Sequence, residues 1–173
     1  MNHQAGVAPQ AEASVESIGP CRVQRNVRTQ PGVESVEGTL IPLMAGATIR
    51  AQVIDMPAGL FVAAHPHPTE SLILTISGRW VFCSGPDRVV LEPGDLLHFP
   101  PDVPTGFEVP FDEPAILYIT KGDGGGQSLD ASRTFLASAA ARMADEADHG
   151  EVFSLAELPE DHPARVYARG LGA

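Results

Sequence analysis

The sequence has little positive charge. Its 11 Lys and Arg residues stand against 22 Asp and Glu, a formal net charge of −11. A surface of that sign repels phosphate backbones and anionic lipid, so neither nucleic acid nor a membrane is expected as a partner. Cysteine is scarce. Cys21 and Cys83 are the only two. They give no disulfide framework, and the expectation is a reduced, cytoplasmic protein. No apolar run approaches the roughly 20 residues that span a bilayer. The opening MNHQAGVAPQAEASVESIGP has neither the basic region nor the apolar region of a secretion signal. Internal repeats are absent as well.

What is present is 173 residues with 43% hydrophobic content, enough for one domain with a core. Sixteen prolines and 17 glycines cluster at the ends of short apolar runs, which indicates an all-β fold rather than a helical bundle. Residues 1–20, rich in Ala, Gln, Glu and Ser, read as a disordered arm. Residues 21–122 hold the strands. Thr48–Met56 alternates cleanly, and Leu60–Ala64 leads toward a pair of histidines. Ser71–Ser77 has large residues on both faces, which predicts burial on both sides. Ser77-Gly78 reads as a tight hairpin turn that returns the chain along Arg79–Cys83. Further strands are expected over Arg88–Glu92, Leu96–Phe99, Thr105–Val109 and Ala115–Thr120. Residues 123–173 form a separate C-terminal part: a glycine-rich joint, a helix over Asp130–Ala147 capped by Asp130, and a docked tail with a short helix near Ala164–Arg169. The helix carries a weak apolar stripe of Leu129, Leu136, Ala140 and Met143. That stripe is expected to pack on the outside of the β domain or against a second subunit.

The stretch from Gly59 to Gly78, GLFVAAHPHPTESLILTISG, organises the rest. His65 and His67 lie one residue apart on an extended segment, where residues i and i+2 share a face. Pro66 and Pro68 favour that extended form. Two imidazoles on one face are a common start to a transition-metal site. Glu70 follows.

Gly59, His65, His67 and Gly78 resemble the first motif of the cupin superfamily, and Val89–Pro104, VVLEPGDLLHFPPDVP, resembles its second. The resemblance covers about residues 39–121. It implies a double-stranded β-helix, or jelly-roll, barrel. It also implies a metal held by both histidines of the first motif, its acidic residue, and a histidine of the second. The acidic position falls on Ser71, with Glu70 one place early, and the last ligand position falls on Thr105. Glu70 reaches inward only if the strand begins after it or a bulge intervenes. With it the site is the two-histidine, one-carboxylate arrangement of non-haem Fe(II) oxygenases. His98, on the strand before the proline loop, is a weaker candidate ligand.

On a Ser77-Gly78 hairpin, Thr75 pairs with Trp80 and Ile73 with Phe82, on the face where the third ligand points. Ile73, Thr75, Trp80, Phe82, Thr105 and Phe107 are therefore the candidate substrate-binding residues. The alternative is that Trp80 and Phe82 are barrel core.

Two functional readings follow. One is a small-molecule enzyme of dioxygenase type. It uses a divalent metal, Fe(II) first and Mn, Ni or Zn next, on His65 and His67 with Glu70 or His98; isomerase or lyase chemistry stays open. The other is a metal-free barrel that binds or senses a small molecule. Either is expected as a homodimer, because small barrels commonly cover their exposed edges by pairing.

Overall fold

The structure, a computed structural model, describes residues 15–122 and 128–173. The glycine-rich joint and residues 1–14 of the expected arm lie outside the described residues. The remainder of that arm is paired: β1 (Val15–Ile18) and β2 (Cys21–Gln24) form a two-stranded antiparallel hairpin. Gly19, at φ +59°, makes the tight reversal, and Arg25 Nε reaches Glu16 Oε1 at 3.2 Å. The polar composition concealed a ribbon that holds itself by backbone pairing.

The period-two segments become ten further strands. They are β3 (Val33–Ser35), β4 (Gly38–Pro42), β5 (Arg50–Met56), β6 (Phe61–His65), β7 (Ser71–Ser77), β8 (Trp80–Ser84), β9 (Asp87–Leu91), β10 (Leu96–Phe99), β11 (Thr105–Glu108) and β12 (Ala115–Lys121). They form two antiparallel sheets, ordered β10-β7-β12-β5-β4-β3 and β6-β11-β8-β9. The inner faces share one core, in which Ile54, Ile73 and Leu117 from the first sheet meet Val62 and Trp80 from the second. This is the jelly-roll barrel.

Two expectations are corrected. The strand β7 is buried on one face only: Ser71, Ile73 and Thr75 point inward, while Leu72 and Leu74 stand exposed. Ser77-Gly78 is a corner and not a hairpin. Strand β7 ladders with β10 and β12, whereas β8 ladders with β11 and β9 in the other sheet. Gly78 sits at φ +72°, and a Cβ there would lie 2.0 Å from the Pro114 carbonyl oxygen, so the chain turns where another strand's lead-in presses on it.

The first helix, α1 (Leu129–Asp148), is capped by Ser128, whose side chain accepts from the Ala131 backbone N–H at 3.1 Å. Asp130, the expected cap, lies within its first turn. Leu136 enters the barrel core, and the helix packs across β3 and β4. It therefore closes one end of its own barrel. In the tail, Leu155 and Leu158, with Ala164 of α2 (Pro163–Leu171), bury Phe61 on the outer face of the smaller sheet.

Candidate functional site

The histidines owe their position to a bulge. Along β6 and β11, Val62 pairs with Phe107 and His65 with Thr105, which sets two residues, Ala63 and Ala64, against the single Gly106. One extra residue reverses the alternation. Val62 and His65 therefore both face inward, and both line a cavity of about 390 Å³ that also receives His67. The two imidazole centroids lie 4.5 Å apart. His65 Nδ1 is 3.0 Å from the Ala63 carbonyl oxygen. His67 lies against Phe99 and Phe107, at centroid distances of 5.2 and 6.3 Å. Its Nε2 is buried without a hydrogen-bond partner. Burial first, then the charges of Lys121 and His65, lower the His67 pKa to about 4, so the ring is neutral at pH 7.

Glu70 and His98 do not join them. Ser71 and Phe99 face inward as cross-strand partners, so the residues beside them in phase with Leu72 face outward. Glu70 Oε2 and His98 Nε2 meet at 3.4 Å on that outer side, with side chains 65% and 53% exposed. The two remaining positions of the family's ligand set hold hydroxyls. Ser71 and Thr105 are 1% and 0% exposed, and each has a side-chain oxygen without a partner. A neutral hydroxyl is a poor ligand for a soft or borderline metal. Among the described residues no three of His, Cys, Asp or Glu come together in a way that could hold a metal ion. The donor set is two imidazoles. It does not fit the expected metal, Fe(II) or otherwise, which needs a third protein donor.

Of the six candidate substrate contacts, Ile73 and Phe107 line the cavity. Thr75, Trp80 and Thr105 are fully buried, and Phe82 packs against the core cluster. Trp80 Nε1 donates to Thr75 Oγ1 at 2.9 Å, so the pair's polar groups satisfy each other inside the barrel wall. The residues that sequence reasoning missed are charged: Glu37, Arg50, Lys121 and Arg142 line the same cavity. Arg50 and Lys121 were legible, because each extends the inward phase of its strand. Glu37 and Arg142 were not, because a turn and a helix bring them there. Burial raises the Glu37 pKa, against the lowering pull of His65, Lys121 and Arg142. The Arg50 guanidinium carbon lies 4.6 Å from the centre of the Phe135 ring on α1.

A neutral imidazole with a free buried nitrogen, an aromatic floor and a charged rim can hold a small molecule by one polar end. Comparison with known families places the barrel. Residues 52–121 match the family model described as Cupin domain. That stretch is a cupin domain. No curated protein matches it. Among solved structures this cupin is similar to the DMSP lyase DddQ from Ruegeria pomeroyi DSS-3, with 26% identity, 48% of this chain and 42% of that one covered, and a TM-score of 0.43. It is also similar to an uncharacterized conserved protein with a double-stranded beta-helix domain from Klebsiella pneumoniae, with 20% identity, 51% and 78% covered, and a TM-score of 0.46. KdgF from Halomonas sp. shows 13% identity, 49% and 77% covered, and a TM-score of 0.44. The match spans less than half of the lyase's length.

Proposed function

We propose that this cupin binds a small organic molecule inside the barrel without a resident metal. Of the two readings the sequence left open, the geometry favours the second. One observation carries it: only two of the four candidate ligands, His65 and His67, reach the cavity, while Glu70 and His98 pair with each other outside. In this reading His67 Nε2 forms the polar end for a ligand or its bound water, and Phe99 and Phe107 take the apolar part. About 390 Å³ is near the small end of ligand pockets, which run from roughly 300 to 1,000 Å³.

Two further expectations remain proposals. The homodimer rests on the outer face of β7 and β10, where Leu72, Leu74 and Leu96 stand exposed side by side. The cytoplasmic setting rests on two free thiols, Cys21 and Cys83. Among the described residues no helix is long and apolar enough to cross a membrane.

The deciding experiment is metal content by mass spectrometry on protein purified without a histidine tag, followed by titration with Fe(II) and Zn(II). A metal-free protein that refuses both ions supports the binding reading. Near one equivalent of metal, lost in a His65→Ala/His67→Ala variant, overturns it and restores the dioxygenase-type enzyme.

A further inference from the structure

A hydrogen bond within β6 fixes the tautomer of His65. Its Nδ1 lies 3.0 Å from the Ala63 carbonyl oxygen. A carbonyl oxygen only accepts, so Nδ1 carries the proton of the neutral ring. Nε2 is then a bare lone pair, and it makes no hydrogen bond with any described residue. Because His65 lines the cavity, the nitrogen it has left to offer there is an acceptor. His67 differs. Its Nε2 is buried without a partner, and no hydrogen bond to a described residue fixes which nitrogen holds the proton. A hydroxyl suits both rings, because it donates one hydrogen bond and accepts others. A carboxylate, a ketone or an ether has no proton to give His65. The wall beside the histidines is aromatic and braced from behind. Phe99 and Phe107 line the cavity. Phe107 stacks on Trp80 with centroids 5.3 Å apart and planes at 13°, and Phe99 lies over Phe82 at 6.4 Å and 16°. Rings backed in this way keep their orientation and present a flat apolar surface to another ring.

We propose that the ligand of this chamber is a phenol, with its hydroxyl at His65 and His67 and its ring against Phe99 and Phe107. This rests on the reading of the barrel as a metal-free binding chamber. The phenolic O–H donates to His65 Nε2. The same oxygen accepts from His67 when Nε2 carries that ring's proton. A phenol, with a pKa of about 10, is a stronger donor than an aliphatic alcohol, and its ring supplies the flat face that the aromatic wall matches. Ile54, Ile73 and Leu117 line the same cavity, so an alkyl substituent on the ring finds apolar partners there.

The test is calorimetric titration of the full chain with 4-ethylphenol, its methyl ether and 4-ethylcyclohexanol, in EDTA at about pH 8, which keeps imidazoles neutral. The phenol should bind at least about fivefold tighter than the ether, which leaves the nitrogens unpaired. It should also bind several-fold tighter than the cyclohexanol, which lacks the flat face. His65→Ala, at an exposed position, should abolish the preference for the phenol over the ether and leave the ether's affinity unchanged. Nitrogen NMR of histidine-labelled protein needs no variant. It should show the His65 proton on Nδ1, and an Nε2 signal that moves with the phenol and not with the ether. A proton on His65 Nε2, or equal affinity for phenol and ether, would overturn the donor assignment and leave the chamber standing. A cyclohexanol that binds as tightly as the phenol would overturn the aromatic assignment. Phenol binding that appears only when Fe(II) or Zn(II) replaces the EDTA would overturn the metal-free chamber as well. Binding of none of the three would overturn the phenol, with metal content then deciding the chamber.

Discussion

Glu70 and His98 face each other at 3.4 Å on the outer side of the larger sheet, 28 positions apart in the chain. Sequence reasoning made each a candidate for the interior. They meet outside because the inward phase at this end of the sheet belongs to Ser71 and Phe99. Surface pairs of this kind contribute roughly 0–1 kcal/mol. Glu70→Gln and His98→Gln should therefore leave ligand affinity unchanged and shift stability by less than about 1 kcal/mol. Calorimetry and urea unfolding measure the two quantities. A loss of affinity in either variant would return that residue to the site.

The cupin barrel was legible because its strands repeat with period two and its turns carry Gly and Pro at their ends. Strand β7 was placed residue for residue. The same periodicity extends to Arg50, in phase with Ile54 and Met56, and to Lys121, one residue past the expected end of its strand and in phase with Leu117 and Ile119. Three features were not legible. The bulge that swings His65 inward inserts one residue into β6 and leaves no compositional trace. The passage of the chain between sheets at Gly78 looks like a hairpin, because a corner and a tight turn ask for the same residues. The closure of the mouth by α1 is a long-range packing event, in which Leu136, one member of the helix's weak stripe, finds the barrel core.

Gly78 tests the corner. Alanine there meets two penalties: a left-handed backbone at φ +72° and a carbonyl oxygen 2.0 Å from the new Cβ. Gly85 has a similar φ of +58° but open space around it. Gly85→Ala should cost about 1–2 kcal/mol, the backbone term alone. Gly78→Ala should cost more than about 3 kcal/mol, because the Pro114 backbone must also move. Urea unfolding followed by the fluorescence of Trp80, the only tryptophan, reads both. Equal losses would mean that Pro114 yields freely.

His67 tests the electrostatics of the cavity. Its pKa falls from 6.5 to about 4, with burial as the largest cause and the charges of Lys121 and His65 adding to it. Between those values the unfolded chain takes up a proton that the folded chain refuses. This contribution to stability is complete above pH 6.5 and is lost as pH falls toward 4. Glu37 works in the opposite sense. Its raised folded pKa means that the folded chain holds the proton more tightly, so its contribution grows as pH falls. The His67→Gln variant should therefore show a shallower decline of stability between pH 6.5 and 4 than the wild type. Denaturation midpoints across that range, with the His67 ring proton followed by NMR, supply the comparison. An unchanged slope would place His67 in water.

The last prediction concerns a charge pair on the far side of the smaller sheet from the cavity. Glu108 is 1% exposed, and Arg88 Nη2 lies 3.1 Å from its Oε1, with Arg88 itself 11% exposed. Both point outward from the barrel, on the side where Tyr167 of the tail donates to the Arg88 carbonyl at 3.4 Å. The tail is thus the candidate cover for the pair. Removing one partner strands the other charge in a low-dielectric site, and such losses amount to about 3–5 kcal/mol. Replacing both with apolar residues of similar volume removes the desolvation penalty with the attraction and is often close to neutral. Arg88→Met alone should therefore destabilise by about 3–5 kcal/mol, and Arg88→Met/Glu108→Leu should recover most of that loss. A third protein cut after residue 150 separates the explanations. Without the tail water reaches the pair, so Arg88→Met should cost less than about 1 kcal/mol there. A full-size loss in the shortened chain would show that the sheet alone buries the pair and that the tail docks for another reason.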